Sequence, residues 1–193
     1  MSIWRSKINP NPGHVMTIET AHLRLLPLGP AELLALGEGV AQFETLTGLR
    51  AAERLRDFFV SGEVSPEWLE RLRTSTDYDP WRHGFGVVEG DSDTVVGLAS
   101  FKGPPDADGV VEIAYGIVPS YEGRGYATEA AAALVDFAQR DARVRVVRAH
   151  TLPERNASTH VLTKCGFELL GEVIDPEDGL VWRWERPPQR AAT

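Results

Sequence analysis

One cysteine, Cys165, stands among 193 residues, which excludes an internal disulfide, and neither it nor the five histidines have the spacing of a structural zinc site. Cations are outnumbered. Lys and Arg total 20 against 28 Asp and Glu, and a formal net charge of −8 disfavours nucleic acid while leaving room for a local pocket that takes one small anion. The same surface suits cationic amines. No stretch is apolar for long enough to cross a bilayer, and Met1-Ser-Ile-Trp-Arg-Ser-Lys-Ile-Asn-Pro lacks the continuous apolar centre of a secretory signal. The expectation is a cytoplasmic protein in a reducing compartment, with no metal, no nucleic acid and no membrane among its partners.

What is present suits one folded domain: 42% hydrophobic and 25% charged residues, with no internal repeat or low-complexity tract. Residues 1–15, with Pro10, Pro12 and Gly13 among polar neighbours, are expected to form a flexible arm, residues 16–187 a single domain and residues 188–193 a frayed end. A first strand is expected over 16–27 and two or three short helices between 30 and 60. Ser65 as N-cap and Pro66 at the first helical position predict another helix reaching Thr74. Alternating or continuous apolar runs predict strands at 85–89, 94–101, 111–118, 144–150, 167–173 and 180–185, with a helix over 156–164 stopped by Gly166.

The segment from Val111 to Ala130 carries the most chemistry. Val111, Ile113, Tyr115, Ile117 and Val118 read as a buried strand, and Pro119 denies the ladder a donor, so pairing should end there. Gly123 and Gly125 then remove side chains where backbone N–H groups can approach a ligand. The helix that follows repeats Ala127, Ala130, Ala131, Leu134, Phe137 and Ala138 at three- and four-residue spacing, one narrow apolar stripe that lets it lie close to the sheet. Its first N–H groups lack internal partners and attract anions. A pyrophosphate suits such a turn.

Glu122-Gly123-Arg124-Gly125-Tyr126-Ala127 resembles the pyrophosphate loop of the GNAT superfamily of acetyl-coenzyme A-dependent N-acetyltransferases, Gln/Arg-x-x-Gly-x-Gly/Ala, with Glu122 as the departure. A second block, Asn156-Ala-Ser158 followed by a helix ending in Lys164-Cys-Gly166-Phe167, is similar to the Asn-x-Ser segment of its RimJ/RimL-type branch. Ile18-Glu-Thr20-Ala-His-Leu23-Arg24-Leu25 resembles that branch's first strand. The resemblance implies an α+β fold: a mostly antiparallel twisted sheet of about seven strands, splayed at the cofactor strand and flanked by helices. It also implies acetyl transfer from acetyl-coenzyme A to a primary amine, on a protein N-terminus or a small molecule, by direct attack. A homodimer is a further expectation.

On this resemblance Gly123, Arg124, Gly125, Tyr126, Ala127 and Thr128 hold the pyrophosphate, Asn156 bonds the pantetheine arm, and the backbone near Ile117 and Val118 supplies the oxyanion donors. Glu112, in a Glu-Ile-x-Tyr pattern, would accept the amine proton directly or through water; the plainer alternative is a surface or ion-paired carboxylate. Many relatives protonate the thiolate with a tyrosine four residues before the Gly-Phe pair, where this chain has Leu162. Ser158 is then the candidate donor, or else merely a helix cap.

Two other readings compete. A dinucleotide-binding turn would need a third glycine after Gly123 and Gly125 and an acid about twenty residues on, and neither is present. A coenzyme A-binding or partner-binding module without turnover is consistent with Leu162 and Glu122. Trp81, His83, Trp182, Trp184, His150 and His160 receive no role from sequence, and Cys165, between Lys164 and Gly166, reads as packing rather than as a nucleophile.

Overall fold

A computed structural model describes residues 7–8, 17–61, 66–90, 92–176 and 178–187. In chain order the elements are β1 (Lys7–Ile8), β2 (Ile18–Glu19), β3 (Leu23–Pro27), α1 (Pro30–Glu38), α2 (Val40–Thr47), β4 (Arg50–Ala51), α3 (Leu55–Ser61), α4 (Pro66–Thr74), α5 (Pro80–His83), β5 (Phe85–Glu89), β6 (Thr94–Phe101), β7 (Val110–Ile117), α6 (Tyr126–Ala138), β8 (Val146–Thr151), α7 (Ala157–Lys164), β9 (Glu168–Asp175) and β10 (Gly179–Arg186). One sheet runs β1-β2-β3-β5-β6-β7-β8-β10-β9, with β4 beside β6. Its pairs are antiparallel except β4 with β6 and β7 with β8. The seven strands of five residues or more carry this α+β sheet, as expected, and β1, β2 and β4 are two-residue additions.

The expected first strand is broken. The Thr20 N–H donates to Leu23 O at 2.9 Å and the Thr20 hydroxyl accepts the Leu23 N–H at 3.1 Å, which turns the chain so that Ile18 pairs with Leu25. Glu129 of α6 holds that turn from outside, accepting the Thr20 hydroxyl at 2.5 Å and the His22 N–H at 2.8 Å. The helix expected near Thr74 is present as α4, while its expected cap Ser65 and the termini 1–6, 9–16 and 188–193 lie outside the described residues.

The parallel pair β7–β8 needs a crossover, and α6 supplies it across one face of the sheet. Phe137 of α6 stacks with Phe85, Phe101 and Trp81 at ring-centroid distances of 5.7, 5.7 and 5.2 Å. Phe101 pairs in register with Ile113, so the odd-numbered side chains of β7 leave the sheet on the α6 face. Ala130, Ala131, Leu134 and Ala138 of the expected stripe are fully buried, and so are Ala133 and Val135 outside it, because α6 also packs against α7 and β3. The even-numbered side chains face the other way. There a Cβ at Gly116 would lie 2.1 Å from the Phe58 ring, so glycine lets α3 rest directly on the strand.

Candidate active site

The two edges of β7 are used differently. Toward β6 the ladder runs from Ile113 opposite Phe101 to Ile117 opposite Gly97, and it is prolonged at both ends by Lys102 N–H to Glu112 O and Val118 N–H to Val96 O, each 2.9 Å. Antiparallel alternation assigns the amides of residues 112, 114, 116 and 118 to this edge and those of Ile113, Tyr115 and Ile117 to the opposite one. On that opposite edge β8 pairs only with Val110, Val111 and Glu112. Beyond Glu112 the two parallel strands part, which is the expected splay. Of the two expected oxyanion donors, Val118 is thus turned to Val96, and Ile117 faces the opening.

At the wide end of the opening a 3-10 turn, Pro119–Tyr121, leads into Gly123 at φ 74° and Gly125 at φ 84°, left-handed positions that favour glycine. Space above both is open, since a Cβ on either would meet nothing within 4 Å. Gly125 is the N-cap of α6 and no side chain caps the helix, so the amides of Tyr126, Ala127 and Thr128 are left for a ligand or water. Arg124 is not a free cation here. Its guanidinium meets Glu89 at 3.1 Å and lies over the Tyr121 ring at 4.6 Å, while the Tyr126 hydroxyl donates to the same Glu89 oxygen at 2.8 Å. The Tyr126 hydrogen bond, helped by Arg124, holds the Glu89 carboxyl below the usual carboxylate range. Attraction for an anion therefore comes from backbone amides and helix polarity.

At the closed end, on the face opposite α6, Glu112 is engaged rather than solvated. Oε1 lies 3.2 Å from Lys102 Nζ and 3.1 Å from His150 Nδ1. Lys102 also reaches Asp178 at 3.3 Å, and His150 lies 3.9 Å from Asp175. Burial alone would lower the Lys102 pKa, but the Glu112 and Asp178 carboxylates outweigh it and hold the ammonium above its ordinary range. Between this cluster and Phe58, Ala114 is exposed, leaving an uncovered patch of strand beside Glu112 where an amine can approach.

Helix α7 closes the far side. Asn156 is its N-cap: Oδ1 accepts the Thr159 N–H at 3.1 Å, and the Thr159 hydroxyl accepts the Asn156 N–H at 3.1 Å, a reciprocal box. Ser158, the second residue of the helix and exposed, is not the cap. Leu162 is fully buried, and the C-terminus closes with Phe167 N–H to Leu162 O at 3.0 Å and Gly166 N–H to Thr163 O at 3.1 Å, Gly166 having φ 77°. Burial raises the Cys165 thiol to about 11, which keeps it protonated and inert.

Of the aromatic and histidine side chains without a role from sequence, Trp81 packs on Phe101 and Phe137, Trp184 donates to Thr151 Oγ1 at 3.1 Å, and His83 accepts the Asp79 N–H at 3.0 Å. These are core contacts. Sequence reasoning missed Lys102 and His150, which reach Glu112 from the end of β6 and from β8, Asp178 and Asp175, which meet those two from the β9–β10 turn, and Glu89, which answers Arg124 from β5. The one available signal was the alternation Arg148-Ala-His150, which places both polar side chains on the face of Glu112 once Glu112 is known to pair with Arg148. Among the described residues no group of three or more His, Cys, Asp or Glu is arranged to hold a metal, and no helix is long and apolar enough to cross a membrane.

A family model for an acetyltransferase (GNAT) domain matches residues 41–168. The chain is 30% identical over 113 residues to an uncharacterised N-acetyltransferase, YjdG, of Bacillus subtilis (strain 168), a match that covers 58% of this chain and 65% of that relative's length. Its fold is similar to that of a GNAT-family acetyltransferase from Bacillus anthracis, with TM-score 0.61 and 18% identity, covering 91% of this chain and all of the other. It is also similar to RimL, a ribosomal L7/L12 alpha-N-protein acetyltransferase solved with coenzyme A, with TM-score 0.60 and 16% identity, covering 87% and 95%.

Proposed function

The chain belongs to the GNAT acetyltransferase family, and from that premise we propose that it transfers an acetyl group from acetyl-coenzyme A to a primary amine by direct attack. The observation that carries the reading is the end of β7–β8 pairing at Glu112, which opens a gap that leads along β7 to an uncapped helix N-terminus. The residues present fit the acyl carrier: the amides of residues 126–128 and the open positions at Gly123 and Gly125 take its diphosphate, Ile117 offers an unshared strand amide, and Asn156 keeps its Nδ2 for the pantetheine arm. The carrier supplies an acetyl group activated as a thioester.

Glu112 accepts the proton that the amine nitrogen gives up as it attacks, and His150, hydrogen-bonded to it, fixes the carboxylate toward the patch beside Ala114. Lys102 and the carboxylates Asp175 and Asp178 line the same approach. The Ile117 amide faces the developing oxyanion, and the exposed Ser158 hydroxyl passes a proton to the departing thiolate as it regains one from solvent. The acceptor is a protein N-terminus or a small-molecule amine. One observation favours a second reading, a coenzyme A-binding module without turnover: Glu112 is already ion-paired with Lys102. Calorimetry with coenzyme A, followed by thiol release from acetyl-coenzyme A across an amine panel, separates them. Binding with amine-dependent release is expected, binding without release selects the module, and no heat of binding overturns both.

A further inference from the structure

Tyr115 is the one residue of the parted stretch of β7 whose side chain carries a donor, and none of the described residues accepts from it. Its ring leaves the strand on the α6 face, beyond the last residue of β7 that pairs with β8. The hydroxyl is buried and has no hydrogen-bond partner among the described residues. A buried hydroxyl in that state has lost its water and gained nothing, so its persistence calls for a partner that the protein itself does not provide. The nearby Cys165 thiol is directed to Thr128 O at 3.5 Å. The ring therefore lies by the first turns of α6 and the end of α7, the two helices that bracket the opening.

The level along the strand is informative. With the diphosphate over residues 123–127, a pantetheine arm entering along β7 passes Val118 and reaches Tyr115 after about 10 Å of strand. The thioester then lies between Ile117, whose amide faces its oxygen, and Glu112, and Tyr115 stands on β7 within that interval. Apart from Ser158, α7 offers no hydroxyl free for that sulfur: Leu162 is apolar, the Thr159 hydroxyl donates to Asn156 O and the Thr163 hydroxyl to Thr159 O.

Resting on the acetyl-transfer reading above, we propose that the Tyr115 hydroxyl is the hydrogen-bond donor to the sulfur of the acyl carrier and holds the thiolate as it leaves. The amine nitrogen forms the new C–N bond, its proton passes to Glu112, and the C–S electron pair stays on sulfur. Tyr115 gives a hydrogen bond and keeps its proton; burial raises the phenol well above its ordinary value, so it remains a donor throughout. The proton that completes the thiol comes by way of Ser158.

The test is calorimetry of the full chain and of Tyr115→Phe with coenzyme A and with desulfo-coenzyme A, which lacks the sulfur, together with melting of both ligand-free proteins. The unmodified protein should prefer coenzyme A by roughly three- to tenfold, the worth of one hydrogen bond, and the variant should bind both probes alike. Ligand-free Tyr115→Phe should melt at the same temperature or higher, since the lost hydroxyl had no partner. A preference unchanged by the substitution overturns the assignment, as does a lower melting temperature, which would mean that the hydroxyl serves the fold. Failure of the unmodified protein to bind either probe overturns the acetyl-transfer reading as well, whereas equal binding of both probes by the unmodified protein overturns this inference alone.

Discussion

Strand β7 has one edge whose hydrogen bonds are spent and one whose hydrogen bonds are withheld. Toward β6 every second residue from Glu112 to Val118 is bonded or in register; toward β8 the pairing covers three residues and stops. The flanking helices repeat the contrast. Helix α7 satisfies its own N-terminus with the Asn156–Thr159 box, while α6 begins at Gly125 with no side-chain cap. An unmade cap forgoes roughly 1 kcal/mol of stability. The difference teaches that the site is built from what the fold leaves unpaired, and the closed edge and capped helix provide the rigidity that keeps it so.

The largest effect should come where the edges change character. Glu112→Gln keeps the size of the side chain but removes the proton acceptor, so turnover should fall by roughly 100-fold or more while coenzyme A affinity stays as it was. Steady-state kinetics beside calorimetry reads both, and an unchanged rate would dismiss Glu112 as a base. A smaller effect belongs to the open end of the splay. Gly125→Val forces a branched side chain into φ 84° and into the space left for the diphosphate, and coenzyme A affinity should weaken by about tenfold or more. Undiminished affinity would count against the amide cradle. A melting curve reports the strain separately.

The smallest effect compares two neighbours on α7. Asn156→Ala should cost about 1 kcal/mol in chemical denaturation, because the capping box is lost. Ser158→Ala should leave stability untouched, since that hydroxyl is exposed and outside the box, and should lower turnover alone. The reverse outcome, stability lost at Ser158, would remove the distinction drawn between the capped and the working part of the helix.

Much of this was legible beforehand, for local reasons. Strand, proline, glycine turn and alanine-rich helix between Val111 and Ala138 each follow from nearest-neighbour properties: apolar alternation, a missing donor, positive φ and stripe spacing. β5 and β6 were bounded by turn residues and appear with the expected limits. The strand expected over 16–27 was misread because a threonine side chain, locked from outside by Glu129 of α6, turned the chain where apolar alternation alone ran on. Ser158 looked like a cap because serine commonly is one, and the choice of Asn156 depended on which residue left helical geometry first.

By itself the sequence determined that a glycine-relieved helix start follows a buried strand, that the family pattern lies there, and that Glu112 and Asn156 are available to it. Only the tertiary structure decided which amides are free. Whether Ile117 or Val118 faces the opening depends on the register with β6, and a register is set by a partner strand rather than by the strand's own residues. For the same reason Lys102 and His150 could meet Glu112, and Asp178 and Asp175 meet those two, only through contacts between segments far apart in the chain, to which local propensity is blind.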